Sequence, residues 1–342
     1  MSLRTISLAL LLPALAHAQG VEGGDILVSD YAVNGVFRID HAGTVTTLHA
    51  GAPLTSASGL AVNGALDVFI ANYNNGTIYR IPRGGAIAPF ASGISGPIRL
   101  AVDHDGTLLV TSLAQKALLR VDGTGQSTPI ASGAPFVRPF GIAVDVDGSY
   151  LVADDGAGGG ANAPALYRVS RGGQVTPIWQ GAPFRLPQGV ALLPDGDFAV
   201  SDGLVDCVFR VPRAGGAPTI VVVTPAIDNP DALCEDFEGR VLVAESSAAG
   251  NRVDLVDRGG GVQTVASGLP FRNLEVVARA PRLSGPATIG VGQTANFALR
   301  FAGEGVTPYA MWATLSVFPG LPFPAPDTRA IFGNADVLLG AT

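Results

Sequence analysis

Short apolar runs ending in a polar residue punctuate the chain at near-constant spacing. They read Leu27-Val-Ser-Asp30, Phe69-Ile-Ala-Asn72, Leu109-Val-Thr-Ser112, Leu151-Val-Ala-Asp154, Ala199-Val-Ser-Asp202 and Leu242-Val-Ala-Glu245, and their ends lie 42, 40, 42, 48 and 43 residues apart. Runs this short, rich in Val and bounded by turn residues, fit buried strands and lack a helical period. A second run follows each: Phe37-Arg-Ile-Asp40, Tyr79-Arg-Ile-Pro82, Leu119-Arg-Val-Asp122, Tyr167-Arg-Val-Ser170 and Phe209-Arg-Val-Pro212. In the sixth copy, Asp254-Leu-Val-Asp257, Leu255 replaces the arginine. Glycine-rich turns such as Arg83-Gly-Gly85, Arg171-Gly-Gly173 and Arg258-Gly-Gly260 lead to a further strand. One more apolar run completes each unit, as at Gly59-Leu-Ala-Val62, Leu100-Ala-Val-Asp103, Gly141-Ile-Ala-Val-Asp145, Gly189-Val-Ala-Leu-Leu193, Ala232-Leu-Cys-Glu235 and Leu274-Glu-Val-Val277.

Four strands, six times over, predict an all-β fold, a six-bladed β-propeller. The phase of the repeats supports a ring. Residues 25–49 supply only the three outer strands of the first blade, and the last innermost-type strand, 274–278, has no blade after it. Joining the two closes the ring. The expected propeller spans 19–280. A β-rich appendage is expected over 281–342, where Ala295-Asn-Phe-Ala-Leu-Arg-Phe301 alternates like a strand and Pro319, Pro322, Pro324 and Pro326 mark turns.

Composition narrows the picture. With 45 Gly and 25 Pro in 342 residues, a mainly helical chain is excluded. A mean hydropathy of +0.36 suggests a membrane protein. After the first eighteen residues, however, no apolar run reaches the roughly 18–20 residues of a spanning helix. The start reads as a secretory signal, with Arg4, an apolar Ile6–Leu12 and the small-x-small site Ala16-His17-Ala18, so cleavage is expected after Ala18. The mature chain is then secreted, periplasmic or on the cell surface. Without Arg4 it keeps 20 basic residues against 28 acidic ones, a charge of −8, which speaks against a nucleic-acid partner. Cys207 and Cys234 permit one disulfide in an exported chain. Three mature histidines, His41, His49 and His104, are too few and too scattered for a His-rich zinc site.

The stretch Pro139-Phe-Gly-Ile-Ala-Val-Asp-Val-Asp-Gly148, followed by Leu151-Val-Ala-Asp154, resembles an NHL repeat. Pro230-Asp-Ala-Leu-Cys-Glu-Asp-Phe-Glu-Gly239, followed by Val241-Leu-Val-Ala244, is similar to a repeat of the SMP-30/gluconolactonase family. The resemblance covers residues 25–278 and implies an exported propeller of bacterial type, a fold that hosts binding modules, lactonases and lyases alike. It also implies a place to look. SMP-30-like lactonases hold a divalent cation at the mouth of the ring with a Glu, two Asn and an Asp. Asp231 matches the Asp, and Gln188-Gly189-Val190 stands where the family has Asn-Gly-Leu. No Asn falls at Pro139-Phe140, and the closing strand offers Arg272-Asn273-Leu274 in place of a Glu-Gly start.

Repeat alignment gathers two residue sets on one face of the ring. Asp30, Asn72, Ser112, Asp154, Asp202 and Glu245 end the second strands, with Asp155 beside Asp154. Ser58, Ile98, Phe140, Gln188, Asp231 and Arg272 precede the innermost strands. The expected mouth is acidic on one side, from Asp30, Asp154, Asp155, Asp202, Asp231 and Glu245, and apolar on the other. Clustered carboxylates repel unless a cation or hydrogen-bond donors compensate, and oxygen-rich sites suit Ca²⁺ or Mg²⁺. Asp231, Glu245 and Asp202 are therefore candidate ligands of Ca²⁺ or another divalent cation, with Asp202 and Glu245 as candidate bases. The competing reading has the strand-end acids capping turns and holding loop amides.

Other chemistries find less support. No Gly-x-Ser-x-Gly elbow occurs. His104, in the turn Asp103-His-Asp-Gly106, falls on the face opposite the mouth. Arg38, Arg80, Arg120, Arg168 and Arg210 recur once per blade and read as a structural ladder of ion pairs. Cys207 and Cys234 fall at small-residue slots and read as buried thiols or a bridge between blades. The Gly156–Pro164 insert is a candidate lid, and the turns at 134–136, 182–184 and 269–271 are expected to pack between blades. The resulting expectation is a monomeric propeller that binds a small-molecule or protein ligand at its mouth without catalysis. The alternative is a divalent-cation-dependent hydrolase of the lactonase type.

Overall fold

The computed structural model describes residues 20–156, 163–223, 225–236, 239–246 and 250–268, together with three strands at 274–279, 282–284 and 298–300. Blade one contains β1 (Ile26–Asp30), β2 (Gly35–Ile39) and β3 (Val45–Ala50). Blade two runs β4 (Ala57–Val62), β5 (Val68–Asn72), β6 (Thr77–Ile81) and β7 (Ala88–Ala91); blade three β8 (Pro97–Val102), β9 (Leu108–Ser112), β10 (Ala117–Val121) and β11 (Ser127–Ser132). Blade four is β12 (Pro139–Val144), β13 (Tyr150–Asp154), β14 (Ala165–Val169) and β15 (Val175–Gln180), and blade five β16 (Pro187–Leu192), β17 (Phe198–Asp202), β18 (Cys207–Val211) and β19 (Thr219–Val223). Blade six is β20 (Pro230–Glu235), β21 (Val241–Glu245), β22 (Arg252–Val256) and β23 (Val262–Ser267). Finally β24 (Leu274–Arg279) pairs antiparallel with β1 and becomes the innermost strand of blade one. The ring is closed by the two ends of the repeat array, as the phase of the sequence requires.

A short hairpin, β25 (Arg282–Ser284) with β26 (Ala298–Arg300), follows. The remainder of 281–342 and the expected signal at 1–18 lie outside the described residues.

Burial falls from the axis outwards. Every second strand is buried along its whole length, whereas outer strands such as β15 are half-buried or exposed throughout. A strand covered on both faces must be apolar on both, which explains the near-continuous Leu-Val-Ala runs. The apolar core lies in layers between neighbouring blades: Phe69 and Ala71 of blade two pack with Leu100 and Leu108 of blade three, and Leu151 of blade four packs with Val200 and Phe209 of blade five. Each fully buried Leu or Val adds about 1.5–3 kcal/mol.

Two polar devices lock the blades. The recurrent arginine pairs with an aspartate of its own blade, as in Arg38–Asp25, Arg80–Asp67, Arg120–Asp103, Arg168–Asp145 and Arg210–Asp197. The ladder read from the sequence is present. In addition each outer strand carries a β-bulge, and at Gly43, Gly125, Gly173 and Gly260 the turn glycine of the next blade lies against a bulged carbonyl. At Gly125 and Gly173, both at φ +85°, an added Cβ would lie 2.1 Å from the carbonyl oxygens of Phe90 and Ile130. Only glycine fits both the left-handed backbone and that approach.

Candidate functional site at the mouth of the ring

The loops leading into the innermost strands, and the ends of the second strands, share one face of the ring, as the pairings Ala57↔Asn72, Pro97↔Ser112, Pro139↔Asp154, Pro187↔Asp202 and Pro230↔Glu245 show. The strand-end residues are buried beneath this face and turned towards their own loops. Asn72 Oδ1 accepts from the amides of Thr55 (3.0 Å) and Ser56 (2.8 Å). Asp154 accepts from Val137 (2.8 Å), Arg138 (2.9 Å) and Gly156 (3.0 Å). Asp202 accepts from Arg185 (2.7 Å), Leu186 (3.0 Å) and Leu204 (3.2 Å). Asp30 holds the amides of Ala32 and Val33, while Ser112 Oγ donates to the Ser95 carbonyl and accepts from Gln115. Asp155 is buried beside Arg138 at 3.5 Å.

Glu245 follows the same rule with a difference. Its Oε2 accepts from the Asp228 amide (3.0 Å) and lies 2.9 Å from Arg252 Nη2. Burial pushes its carboxyl up to about 8, reinforced by a hydrogen bond with Asp254 and by that residue's charge; the Asp228 amide and Arg252 pull the other way.

These contacts turn the strand-end acids towards their own loops. Oxygens that accept two or three amides apiece serve as loop caps, which is the competing reading of the strand-end acids. Among the described residues no three His, Cys, Asp or Glu side chains stand together as a group that could hold a metal ion. Asp202 and Glu245 thus act as loop caps in this structure.

A second set of residues lies at the bulge opening each innermost strand, on the same face of the ring. Ser58 Oγ lies within hydrogen-bond reach of the Ala71 and Pro97 carbonyls, at 3.2 and 3.1 Å, and shares its one proton between them, and Ile98 and Phe140 are buried. Gln188 and Asp231 are half-buried. Arg272 lies outside the described residues. In the register of β24, Leu274 lies opposite Asp30 and Val276 opposite Ser29, so Glu275 takes the bulge position that Asp231 holds in β20. The sequence reading missed Arg99, which fills a slot occupied by Gly59, Gly141 and Gly189 in other blades. The residue is 4% exposed, and its guanidinium lies 4.6 Å from the Phe140 ring centroid and donates to the Ser58 carbonyl at 2.8 Å. A cation in a glycine column was the available signal.

Other expectations resolve simply. Phe136 and Phe184 are buried against Tyr167 and Phe209, with centroids 5.8 and 5.5 Å apart, so these turns wedge between blades. The turn at 269–271 and residues 157–162 of the glycine-rich insert lie outside the described residues. His104 does lie on the far face, where its Nε2 meets the Asp145 carbonyl of the next blade at 3.1 Å. Both cysteines are free thiols, so no bridge joins blades five and six; burial pushes Cys207 up to about 12. No described helix is long and apolar enough to cross a membrane.

The fold defines a class, the closed six-bladed β-propeller, and comparison with solved structures agrees. A chain from a nidogen/laminin complex superposes with TM-score 0.63 at 16% identity, covering 75% of this chain and 97% of its own. Virginiamycin B lyase from Staphylococcus aureus gives 0.58 at 14% identity, over 83% and 93%. Regucalcin, a calcium-binding protein from Agrobacterium tumefaciens, gives 0.54 at 19% identity, over 72% and 82%. At these identities the likeness is one of fold. No family model matches the chain, and no curated protein matches it in sequence.

Proposed function

We propose that the mature chain, exported after cleavage past Ala18, is a recognition propeller that binds a small-molecule or protein ligand at its mouth without catalysis. The observation that carries this reading is the use of the strand-end carboxylates as amide caps, which turns them towards their own loops. The bulge ring offers instead a surface of mixed chemistry: Phe140 over the buried Arg99 on one side, Gln188 and Asp231 on the other. Such a combination suits a ligand with an apolar body and polar edges. The matched chain from the nidogen/laminin complex is in keeping with partner binding by this fold.

The second reading is a divalent-cation-dependent lactonase. It is favoured by the register that brings Glu275 to the position next in the ring after Asp231. The test is hydrolysis of aldonolactones by the mature protein, with and without Ca²⁺, Mg²⁺ or Zn²⁺, beside Asp231→Ala. The recognition reading expects no turnover above the variant's. Cation-dependent hydrolysis lost in Asp231→Ala would replace it with the second reading.

A further inference from the structure

In five blades one slot of the third strand holds a large apolar side chain: Phe37 opposite Val28, Tyr79 opposite Ile70, Leu119 opposite Val110, Tyr167 opposite Val152 and Phe209 opposite Val200. In blade six the same slot, opposite Val243, holds Asp254, which is fully buried. Beside it lies Glu245, the one strand-end cap with the extra methylene, also fully buried. A single cation serves both: Arg252 Nη2 is 2.9 Å from Glu245 Oε2, and its Nε is 2.8 Å from Asp254 Oδ2. Arg252 Nη2 also donates to the Ala226 carbonyl at 2.9 Å.

Hydrogen-bond accounting leaves a deficit. Glu245 Oε1 and Asp254 Oδ1 receive no N–H or O–H donor among the described residues, and at Asp254 Oδ2 the Arg252 Nε–H, though 2.8 Å away, is not aligned as a hydrogen bond. Two buried carboxylates facing one guanidinium would also leave a net negative charge in the blade, which is costly in a low dielectric. One proton between the two carboxyls removes the charge and supplies a missing donor. We propose that Glu245 and Asp254 share one proton at neutral pH and that this proton acts as a latch on the loop Ala226–Asp228, which leads into Asp231 at the mouth. The loop is tied at both points to the same group, through the Asp228 amide on Glu245 and the Ala226 carbonyl on Arg252.

Among the described residues Arg252 is the one cation paired with Glu245 and Asp254. Asp228 lies on the loop, Asp231 on β20, Asp206 on the β17–β18 turn, where it accepts from the Asn229 amide, and β24 alongside β21 contributes Glu275 and Arg279 to its sequence. The sign follows. A carboxyl that is harder to ionise when folded contributes its full stability below the ordinary carboxyl range, and that contribution is lost as pH rises through its raised value. The latch is therefore closed in acid and at neutrality, and loosens in mild alkali.

The test is hydrogen–deuterium exchange on the mature protein in chelator, from pH 6 to 9.5, with rates corrected for intrinsic exchange. In the wild type, protection over 226–229 should fall at least tenfold between pH 7 and 9.5, while the blade-five loop 185–187, capped by Asp202, stays constant. Glu245→Gln, which keeps a carbonyl for the Asp228 amide, and Asp254→Leu, which restores the apolar slot, should each abolish the pH dependence. Infrared spectra at pH 7 should show a protonated carboxyl band in the wild type that is missing from either variant. Absence of that band in the wild type, or an unchanged pH dependence in whichever variant folds, overturns the proposal.

Discussion

Arg171 of blade four reaches across to Asp103 of blade three, placing its Nη2 3.1 Å from Oδ1, over a separation of 68 residues. Arg213 of blade five repeats the move on Asp145 of blade four, with Nη1 2.9 Å from Oδ2, again over 68 residues. Each aspartate sits at the end of an innermost strand with its side chain fully buried, and each also receives the arginine of its own blade. Tyr150 Oη adds a bond to Asp103 at 2.9 Å, and Arg168 and Arg213 both lie over the Phe198 ring. Blades three, four and five are thus stitched on the face away from the mouth.

Removal of a shared acceptor should be severe. Asp145→Ala strands Arg168 and Arg213 and deletes the acceptor for the Val146 amide. The expected loss is about 3 kcal/mol, read by urea denaturation. Asp122→Ala, in an exposed turn, should cost under about 1 kcal/mol beside it.

The glycine contacts make a second test. Gly173→Ala places a Cβ 2.1 Å from the Ile130 carbonyl and should destabilise by about 2–4 kcal/mol. Gly133→Ala shares a positive φ, +75°, but meets nothing within 4 Å, so about 1 kcal/mol of backbone strain is expected. Comparing the two melting temperatures separates the inter-blade contact from the strain.

Much of this architecture was legible before any coordinates. Leu27-Val-Ser-Asp30 and its five copies fixed the strand count, and the missing innermost strand before residue 25 fixed the closure. The ion-pair ladder was legible because Arg38 and its equivalents recur at one register. What stayed hidden depends on side-chain direction. A terminal Asp such as Asp202 has the same spacing whether its oxygens face solvent or the amides of residues 185 and 186. The bulge in each innermost strand also breaks simple alternation, so Arg272 and Glu275 could not be told apart by pattern at the closing strand. Asp254 lies beside Leu255, where the arginine is lost, and its buried slot emerges only when β22 is set in register against β21.

Capping predicts a stability phenotype for the strand-end acids. Asp202→Ala frees the amides of Arg185, Leu186 and Leu204 and should lower stability by about 2 kcal/mol. Asp202→Asn keeps one acceptor oxygen and should recover about half of that loss. Equilibrium unfolding of the two variants checks the order.

The thiols give a pH-dependent readout. Burial, then the charges of Asp202 and Asp206, hold the Cys207 thiol at about 12, so it stays protonated and unreactive at pH 8. Alkylation of the native protein without reductant should leave Cys207 unmodified, and unfolding should expose two alkylatable thiols by mass spectrometry. A single disulfide-linked species would contradict this.

The central claim is that the acids beneath the mouth are caps and the mouth is a recognition surface. Titration calorimetry of Ca²⁺, Mg²⁺ and Zn²⁺ into the mature protein, with Asp202→Asn and Asp231→Ala alongside, tests it most directly. The account predicts no micromolar cation site that depends on Asp202. Micromolar binding in the wild type that is abolished by Asp202→Asn would show that carboxylate to be a ligand and contradict it.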